Sequence, residues 1–303
     1  MSQESTLQNS TLFSQCEIQD LYELSAIQGG MLTAEQAASL MQQKSVSFKA
    51  LQDALLPVCD FYALAPISNF LACAIVQGEQ QKNGLSHLYF GGNLEFENQA
   101  LSLVVHAEQA AIHNAWQHGE KSISGMTINA APCGYCRQFI NEVRNARVMP
   151  LNIAGKDCTI NDLLPDPFSP ETLGNSEMLF DQLRVPVIFS NDDKKLVSEN
   201  LQQAIETAYA PYSKNLSAAE IVTKSGDVFI GRYAENCAYS PSFSPIQSAL
   251  SQMAMHGKNP LKDEIAKVTL VELEGRANQL GVAKAVLSSL GSEIEFCHVL
   301  GNA

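Results

Sequence analysis

An internal repeat constrains this chain more than any other feature of its sequence. Pro66-Ile-Ser-Asn-Phe-Leu71 resembles Pro211-Tyr-Ser-Lys-Asn-Leu216, and Gly91-Gly-Asn-Leu-Glu95 resembles Gly231-Arg-Tyr-Ala-Glu235. The hydrophobic periodicity around these segments repeats as well. In the first half a helical stripe of Phe48, Leu51 and Leu55 leads into an apolar run of strand length at 69–77, a polar loop, and a second strand at 87–93. A helix over HAEQAAIHNAW, a short strand at 126–130, a helix over 134–147 and a strand at 148–153 follow. The second half predicts a helix at 196–210, strands at 218–223 and 227–233, and a helix near 246–256. A strand at 267–272, a helix at 275–290 and a last strand at 293–299 complete it. Both halves give the order α-β-β-α-β-α-β, so the expected fold class is α/β with a duplicated core.

The 303-residue length fits two core domains with an appendage. Ahead of the first copy, Ile18, Leu21, Leu24 and Ile27 mark a helix that Gly29-Gly30 should stop, and Thr33 with Gln36 reads as a capping box opening a second one. Between the copies, the segment LLPDPFSPETLGNSE is rich in Pro, Asp, Asn and Ser with little periodicity, and a connection of that length ordinarily serves function or interface. The expected domains are a helical domain over 1–47, an α/β domain over 48–155, an arm over 156–192 and a second α/β domain over 193–303.

Composition narrows the partners. Hydrophobic residues make up 46% and charged residues 17%, the balance of a soluble globular protein, with disorder expected only at the polar start. That start has no basic stretch followed by an apolar one, and no apolar run reaches the roughly 18–20 residues that span a bilayer; the expectation is a cytoplasmic protein with no membrane partner. A net charge of −13 opposes a phosphate backbone, so no nucleic-acid partner is expected. Six of the eight cysteines (Cys16, Cys59, Cys73, Cys158, Cys237, Cys297) are scattered singly and read as small buried hydrophobes.

Cys133 and Cys136 stand apart. His106-Ala-Glu108 is followed, after a helix and a strand, by Pro132-Cys133-Gly-Tyr-Cys136. One imidazole and two thiolates suit Zn²⁺, and three protein ligands leave a fourth tetrahedral position for water, the arrangement of a catalytic site. With Pro132 before Cys133 and helical residues after it, both sulfurs should lie at a helix N-terminus, where free N–H groups and the helix dipole favour thiolate. His106 and Glu108 are two residues apart and would point to different faces within a regular helix. They converge only if a helix begins at that pair. Glu108 then reads as the proton carrier beside a zinc-acidified water.

This H-x-E…P-C-x-x-C pattern is the signature of zinc deaminases. The chain as a whole resembles the long, homodimeric bacterial type of cytidine deaminase, through its helical N-terminal piece, FGGNLEF, VHAEQAAI, PCGYCRQF, the DPFSP arm and the YAEN segment. The resemblance implies a duplicated three-layer α/β/α core with mixed sheets plus a small N-terminal helical domain. It implies hydrolysis of cytidine and deoxycytidine to uridine and deoxyuridine with one zinc per chain, held by His106, Cys133 and Cys136, and Glu108 as shuttle. It further places Asn93 and Glu95 on the ribose hydroxyls and Phe70 and Phe168 near the pyrimidine, with Ala107 also substrate-binding. In the second copy, Pro245-Ile-Gln-Ser-Ala-Leu250 stands where HAEQAAI should recur, and no C-x-x-C follows. By resemblance that copy is non-catalytic, builds a homodimer interface and helps cover the partner's site.

Plainer readings exist for each element. A C-x-x-C also serves as a redox pair or in a structural zinc site, but the upstream H-A-E and the lack of a fourth ligand nearby speak against both. His113 and His118 read as packing or solvated residues, Asn93 and Glu95 as turn residues were there no resemblance, and Phe70 and Phe168 as core. Arg137 either bonds a cysteine sulfur or charges the helix surface. Nucleotide and polynucleotide deaminases share the metal site but need cationic groups that this acidic chain does not display. A catalytically dead zinc-binding relative would have lost Glu108, which is present.

Overall fold

The computed structural model describes residues 12–303 except 83, 182 and 292; the polar start, expected to be disordered, lies outside the described residues. These residues form two compact units. The first runs to Leu94 and includes His106–Pro167 and Met255–Gly257; the second comprises Glu95–Val105, Phe168–Ala254 and Lys258–Ala303.

In the first unit, helix α1 (Gln15–Ile27) opens on a capping box in which Ser14 and Glu17 exchange hydrogen bonds. Gly29 and Gly30 end it at φ of +69° and +74°, a backbone that glycine adopts without strain. Strand β1 (Met31–Leu32) follows, then α2 (Ala34–Lys44), whose expected capping box is present: Gln36 N–H donates to the Thr33 hydroxyl at 3.2 Å and Thr33 N–H to the Gln36 side chain at 2.7 Å. Helix α3 (Phe48–Leu55), capped by Ser47, passes through a 3-10 turn into strands β2 (Cys73–Gln80) and β3 (Ser86–Gly92). Helix α4 (Ala107–Gln117), strand β4 (Gly125–Ile128), helix α5 (Gly134–Ile140), the hairpin of β5 (Leu151–Ile153) and β6 (Lys156–Cys158), and helix α6 (Ile160–Leu163) complete it. The sheet order is β1-β3-β2-β4-β5-β6. It is mixed, antiparallel at β3/β2 and β2/β4 and parallel at β4/β5. Ten consecutive residues of α4 are buried as it packs on β2 and β3. Gly91 allows that closeness, because a Cβ there would stand 2.3 Å from Ala111 N and 2.4 Å from Ala107 O.

The second unit holds α7 (Glu199–Glu206), β7 (Ser217–Thr223), β8 (Val228–Arg232), α8 (Pro245–Met255), β9 (Ile265–Leu273), α9 (Leu280–Ser288) and β10 (Glu295–Gly301). Its sheet order, β8-β7-β9-β10, reproduces β3-β2-β4-β5 with the same sense at every pairing. The repeat therefore extends from sequence to topology. It also extends to detail: a Cβ at Gly231 would stand 2.2 Å from Ala249 N and 2.3 Å from Pro245 O, matching Gly91 against α4. That match places Ser244 where the first unit has His106, and Ile246 where it has Glu108.

Several elements are shorter than their periodicity predicts. Helix α5 stops at Ile140, not 147, as the chain tightens into i→i−3 bonds, Glu142 N to Phe139 O and Val143 N to Ile140 O. Helix α7 ends before 207–210 because Tyr209 N–H is drawn to Tyr233 O, and Ala210 precedes a proline, which disfavours helix. Helix α9 begins at Leu280 because Arg276 N–H bonds Ser213 O and Gln279 N–H bonds the Glu272 carboxylate. Strand β2 begins at Cys73, not at 69, where Asn69 takes a φ of +54°.

Candidate metal centre

Two helix N-termini build the centre. His106 is the N-cap of α4 with extended backbone (φ −90°, ψ 146°), and Cys133 is the N-cap of α5 in the same conformation (φ −70°, ψ 174°). Helix α4 thus starts where the H-x-E spacing requires. His106 turns toward the cysteines while Glu108, one residue into the helix, occupies its first turn.

His106 Nδ1 lies 3.5 Å from Cys133 Sγ, and Cys133 Sγ lies 3.5 Å from Cys136 Sγ. The ligand atoms of His106, Cys133 and Cys136 all fall within 4.8 Å of one another, the one such group among the described residues. Tetrahedral zinc with Zn–S near 2.3 Å and Zn–N near 2.05 Å sets its ligands roughly 3.5–3.8 Å apart. The donor set and its spacing fit zinc.

Electrostatics prepare the ligands. Hydrogen bonds from the Cys136 thiol and from the His106 ring bring Cys133 down to about 3, so it is thiolate. The same bond with Cys133 and burial push the Cys136 thiol well up, and the Cys133 contact raises His106. Metal binding must therefore displace the Cys136 proton. Glu108 is buried and desolvation raises its carboxyl, opposed by hydrogen bonds from its own backbone N–H and from Cys136. A carboxyl raised by burial holds a proton more readily than a solvated one, which suits a group that must both accept and give a proton.

Around this centre, Ala107 is fully buried beneath Gly91. Asn93 is buried at the end of β3, its Oδ1 accepting from Ala72 N–H and its Nδ2 donating to Phe70 O, both at 3.0 Å. One N–H and one lone pair of that carboxamide remain for a ligand. Phe70 is exposed. Glu95 and Phe168 fall in the second unit, Glu95 buried and Phe168 exposed with its carbonyl accepting from Cys237 Sγ at 3.3 Å. Arg137 takes neither role that the sequence left open. Its Nε donates to Pro132 O at 2.9 Å and its Nη1 to Leu163 O at 3.0 Å, fixing the loop that presents Cys133. His113 packs edge-on against Trp116, and both ring nitrogens of His118 face backbone carbonyls. Sequence reasoning missed Asn129, whose neighbours in sequence give no sign of the contacts that it makes.

The second unit has closed the equivalent position. Ser244, the counterpart of His106, forms a capping box with Gln247: Gln247 N–H donates to the Ser244 hydroxyl at 3.4 Å, and Ser244 N–H donates to Gln247 Oε1 at 3.1 Å. A structural cap stands where the first unit has the candidate ligand His106.

The sequence was compared with known proteins. Two family models, each described as a cytidine and deoxycytidylate deaminase zinc-binding region, match the chain, one over residues 59–151 and the other over 160–284. The chain is 37% identical over 265 residues to a cytidine deaminase of Vibrio vulnificus (strain YJ016), covering 87% of each chain. It is 39% identical over 265 residues to one of Vibrio atlanticus (strain LGP32), again covering 87% of each. Among solved structures it is similar to the cytidine deaminase from Mycobacterium leprae, at 24% identity and a TM-score of 0.34, over 40% of this chain and 99% of that one. With one of these models matched in each half and the two Vibrio relatives aligned along 87% of its length, the chain belongs to the zinc-binding cytidine and deoxycytidylate deaminases.

Proposed function

We infer that this protein hydrolyses cytidine and deoxycytidine to uridine and deoxyuridine, releasing ammonia. The observation that carries the reading is a buried carboxylate, Glu108, in the first turn of α4 beside a cluster of three ligand groups, His106, Cys133 and Cys136; three protein ligands leave a fourth tetrahedral position for water. Zinc held by those three residues supplies Lewis-acid activation, bringing a water's pKa from about 16 toward about 7. Glu108 takes the proton that the water gives up and delivers it to N3 of the cytosine ring as oxygen adds at C4. It then takes the proton of the hydroxyl added at C4 and hands it to the exocyclic amine; the C4–N bond breaks, ammonia leaves, and C4 becomes the uracil carbonyl. Burial of Glu108 keeps bulk water from that proton.

Asn93 and Glu95 hold the ribose hydroxyls, an amide and a carboxylate being matched to paired donors and acceptors. Phe70 and Phe168 flank the pyrimidine, with aromatic faces against a flat base, and Ala107 also contacts the substrate. These assignments rest on the match of each residue to the family's motifs, on the buried Asn93 amide and on the exposed ring of Phe70.

The wider organisation that we propose is a helical domain over 1–47, a catalytic domain over 48–155, an arm over 156–192 and a non-catalytic domain over 193–303. The chain works as a homodimer in the cytoplasm, its second domain contributing to the interface and to the partner's site. None of the eight cysteines is in a disulfide, which supports a reducing compartment. Among the described residues no helix is long and apolar enough to cross a membrane. The capping box at Ser244 supports a non-catalytic second domain.

Ammonia release from cytidine, deoxycytidine, CMP and adenosine by zinc-loaded protein tests the substrate class. Turnover of the two cytosine nucleosides, with CMP and adenosine inert, is the expected result. Zinc-loaded protein that leaves both cytosine nucleosides untouched overturns it.

A further inference from the structure

We propose that Asn129 is a positioning residue of the nucleoside pocket, clamping the Phe70–Cys73 segment from the β4 side while Asn93 clamps it from the β3 side. The inference rests on the reading that Phe70 faces the base.

The segment enters β2 without strand partners of its own, because Asn69 at φ +54° breaks the extended run just before Phe70. Its backbone groups are satisfied by side chains instead. Phe70 N–H donates to Ser68 Oγ at 3.0 Å. Asn93 bonds Phe70 O and Ala72 N–H, both at 3.0 Å. Asn129 bonds the alternate pair, its Nδ2 donating to Leu71 O and its Oδ1 accepting from Cys73 N–H, both at 2.9 Å. In an extended chain successive backbone groups face opposite edges. Two carboxamides, each with one donor and one acceptor, therefore hold the segment from both sides, as two neighbouring strands would. The backbone N–H of Asn129 also donates to Cys73 O at 3.1 Å, joining the clamp to the β2/β4 pairing.

The second unit shows what a plain strand does at the same place. There β7 is paired with β9 from Ser217 onward, and Leu273 N–H donates directly to Leu216 O, the counterpart of Leu71 O, at 2.8 Å. Backbone supplies what the Asn129 side chain supplies in the first unit. By ending β4 early and substituting an amide, the first unit frees the chain after Ile128 to turn toward Pro132 and Cys133. Asn129 then fixes the register between the base-facing segment and the loop that carries two ligands. A small shift at such a link degrades binding geometry far more than it degrades folding.

The test uses zinc-loaded wild-type, Asn129→Ala and Asn129→Asp proteins, with KM and kcat for cytidine and direct calorimetric binding of uridine. Asn129→Asp is isosteric and keeps the acceptor for Cys73 N–H, so it guards against a fold failure in the alanine variant. The expected result is one zinc per chain, a KM and a uridine Kd raised on the order of tenfold, and a smaller change in kcat. Unchanged KM and Kd beside an active wild type overturn the clamp alone. Variants that lose zinc while their zinc-loaded fraction binds uridine normally also overturn it, since Asn129 would then serve the metal loop only. A wild type inert toward cytidine overturns the proposed function and this inference with it.

Discussion

Gly91→Ala probes the contact on which the centre depends. The added methyl would meet Ala111 N at 2.3 Å and Ala107 O at 2.4 Å, both backbone atoms of α4 that no rotamer change can move. Ordinary contact begins near 3.4 Å, so α4 must withdraw from β3 by about 1 Å. Withdrawal takes His106, the N-cap, and Glu108, in the first turn, away from Cys133 and Cys136 on α5. Overpacking of this kind costs about 1–3 kcal/mol of stability, and a 1 Å misplacement of reacting groups costs roughly 100-fold in rate. Gly231→Ala is the matched control, since its methyl would meet Ala249 N at 2.2 Å and Pro245 O at 2.3 Å in the second unit. Both variants should lose several degrees of thermal stability by calorimetry, and Gly91→Ala alone should lose zinc and turnover. Full zinc and wild-type turnover in Gly91→Ala would refute the reasoning.

Three further outcomes follow from the structure. Chelation should abolish turnover and added zinc restore it, with protons released on loading because Cys136 must give one up; calorimetry in buffers of different ionisation enthalpy measures that release. Thr33→Ala should remove the hydroxyl that caps α2 and cost about 1 kcal/mol in denaturant unfolding, with turnover unchanged. Burial pushes the Glu206 carboxyl up, but bonds from Gln202, Arg184 and Val187 N–H together outweigh it and hold the group below its ordinary 4.5. Its contribution is therefore present above pH 4.5 and lost as pH falls through the lower folded value. Glu206→Gln should be less stable than wild type at pH 7, with the gap closing below pH 4.5; a gap independent of pH would contradict the assignment.

The centre was legible because its chemistry is local. The spacing of His106 and Glu108 demands a helix start, and Pro132 before Cys133 marks another, so both N-caps could be placed from residue order alone. The duplicated order of elements was legible for the same reason, since each strand and helix carries its own periodicity. What escaped was set by distant partners. Strand β1 is two residues long and exists because Met31 and Leu32 pair with Tyr89 and Leu88. The β5/β6 hairpin, turned by Ala154 and Gly155 at positive φ, lies at the edge of a stretch read as an arm. The Asn129 amide finds Leu71 and Cys73 more than fifty residues earlier, and Arg137 finds Leu163 across a loop. Nothing in the residues beside them announces those contacts.

The central claim is that Glu108 moves the proton in a zinc-assisted hydrolysis. Its most direct test is ammonia release from cytidine by Glu108→Gln protein carrying one zinc per chain. General acid–base catalysis of this kind contributes on the order of 10²–10⁴-fold, so the account predicts a loss of at least about 100-fold with zinc retained. Turnover within a few fold of wild type at full zinc occupancy would contradict it.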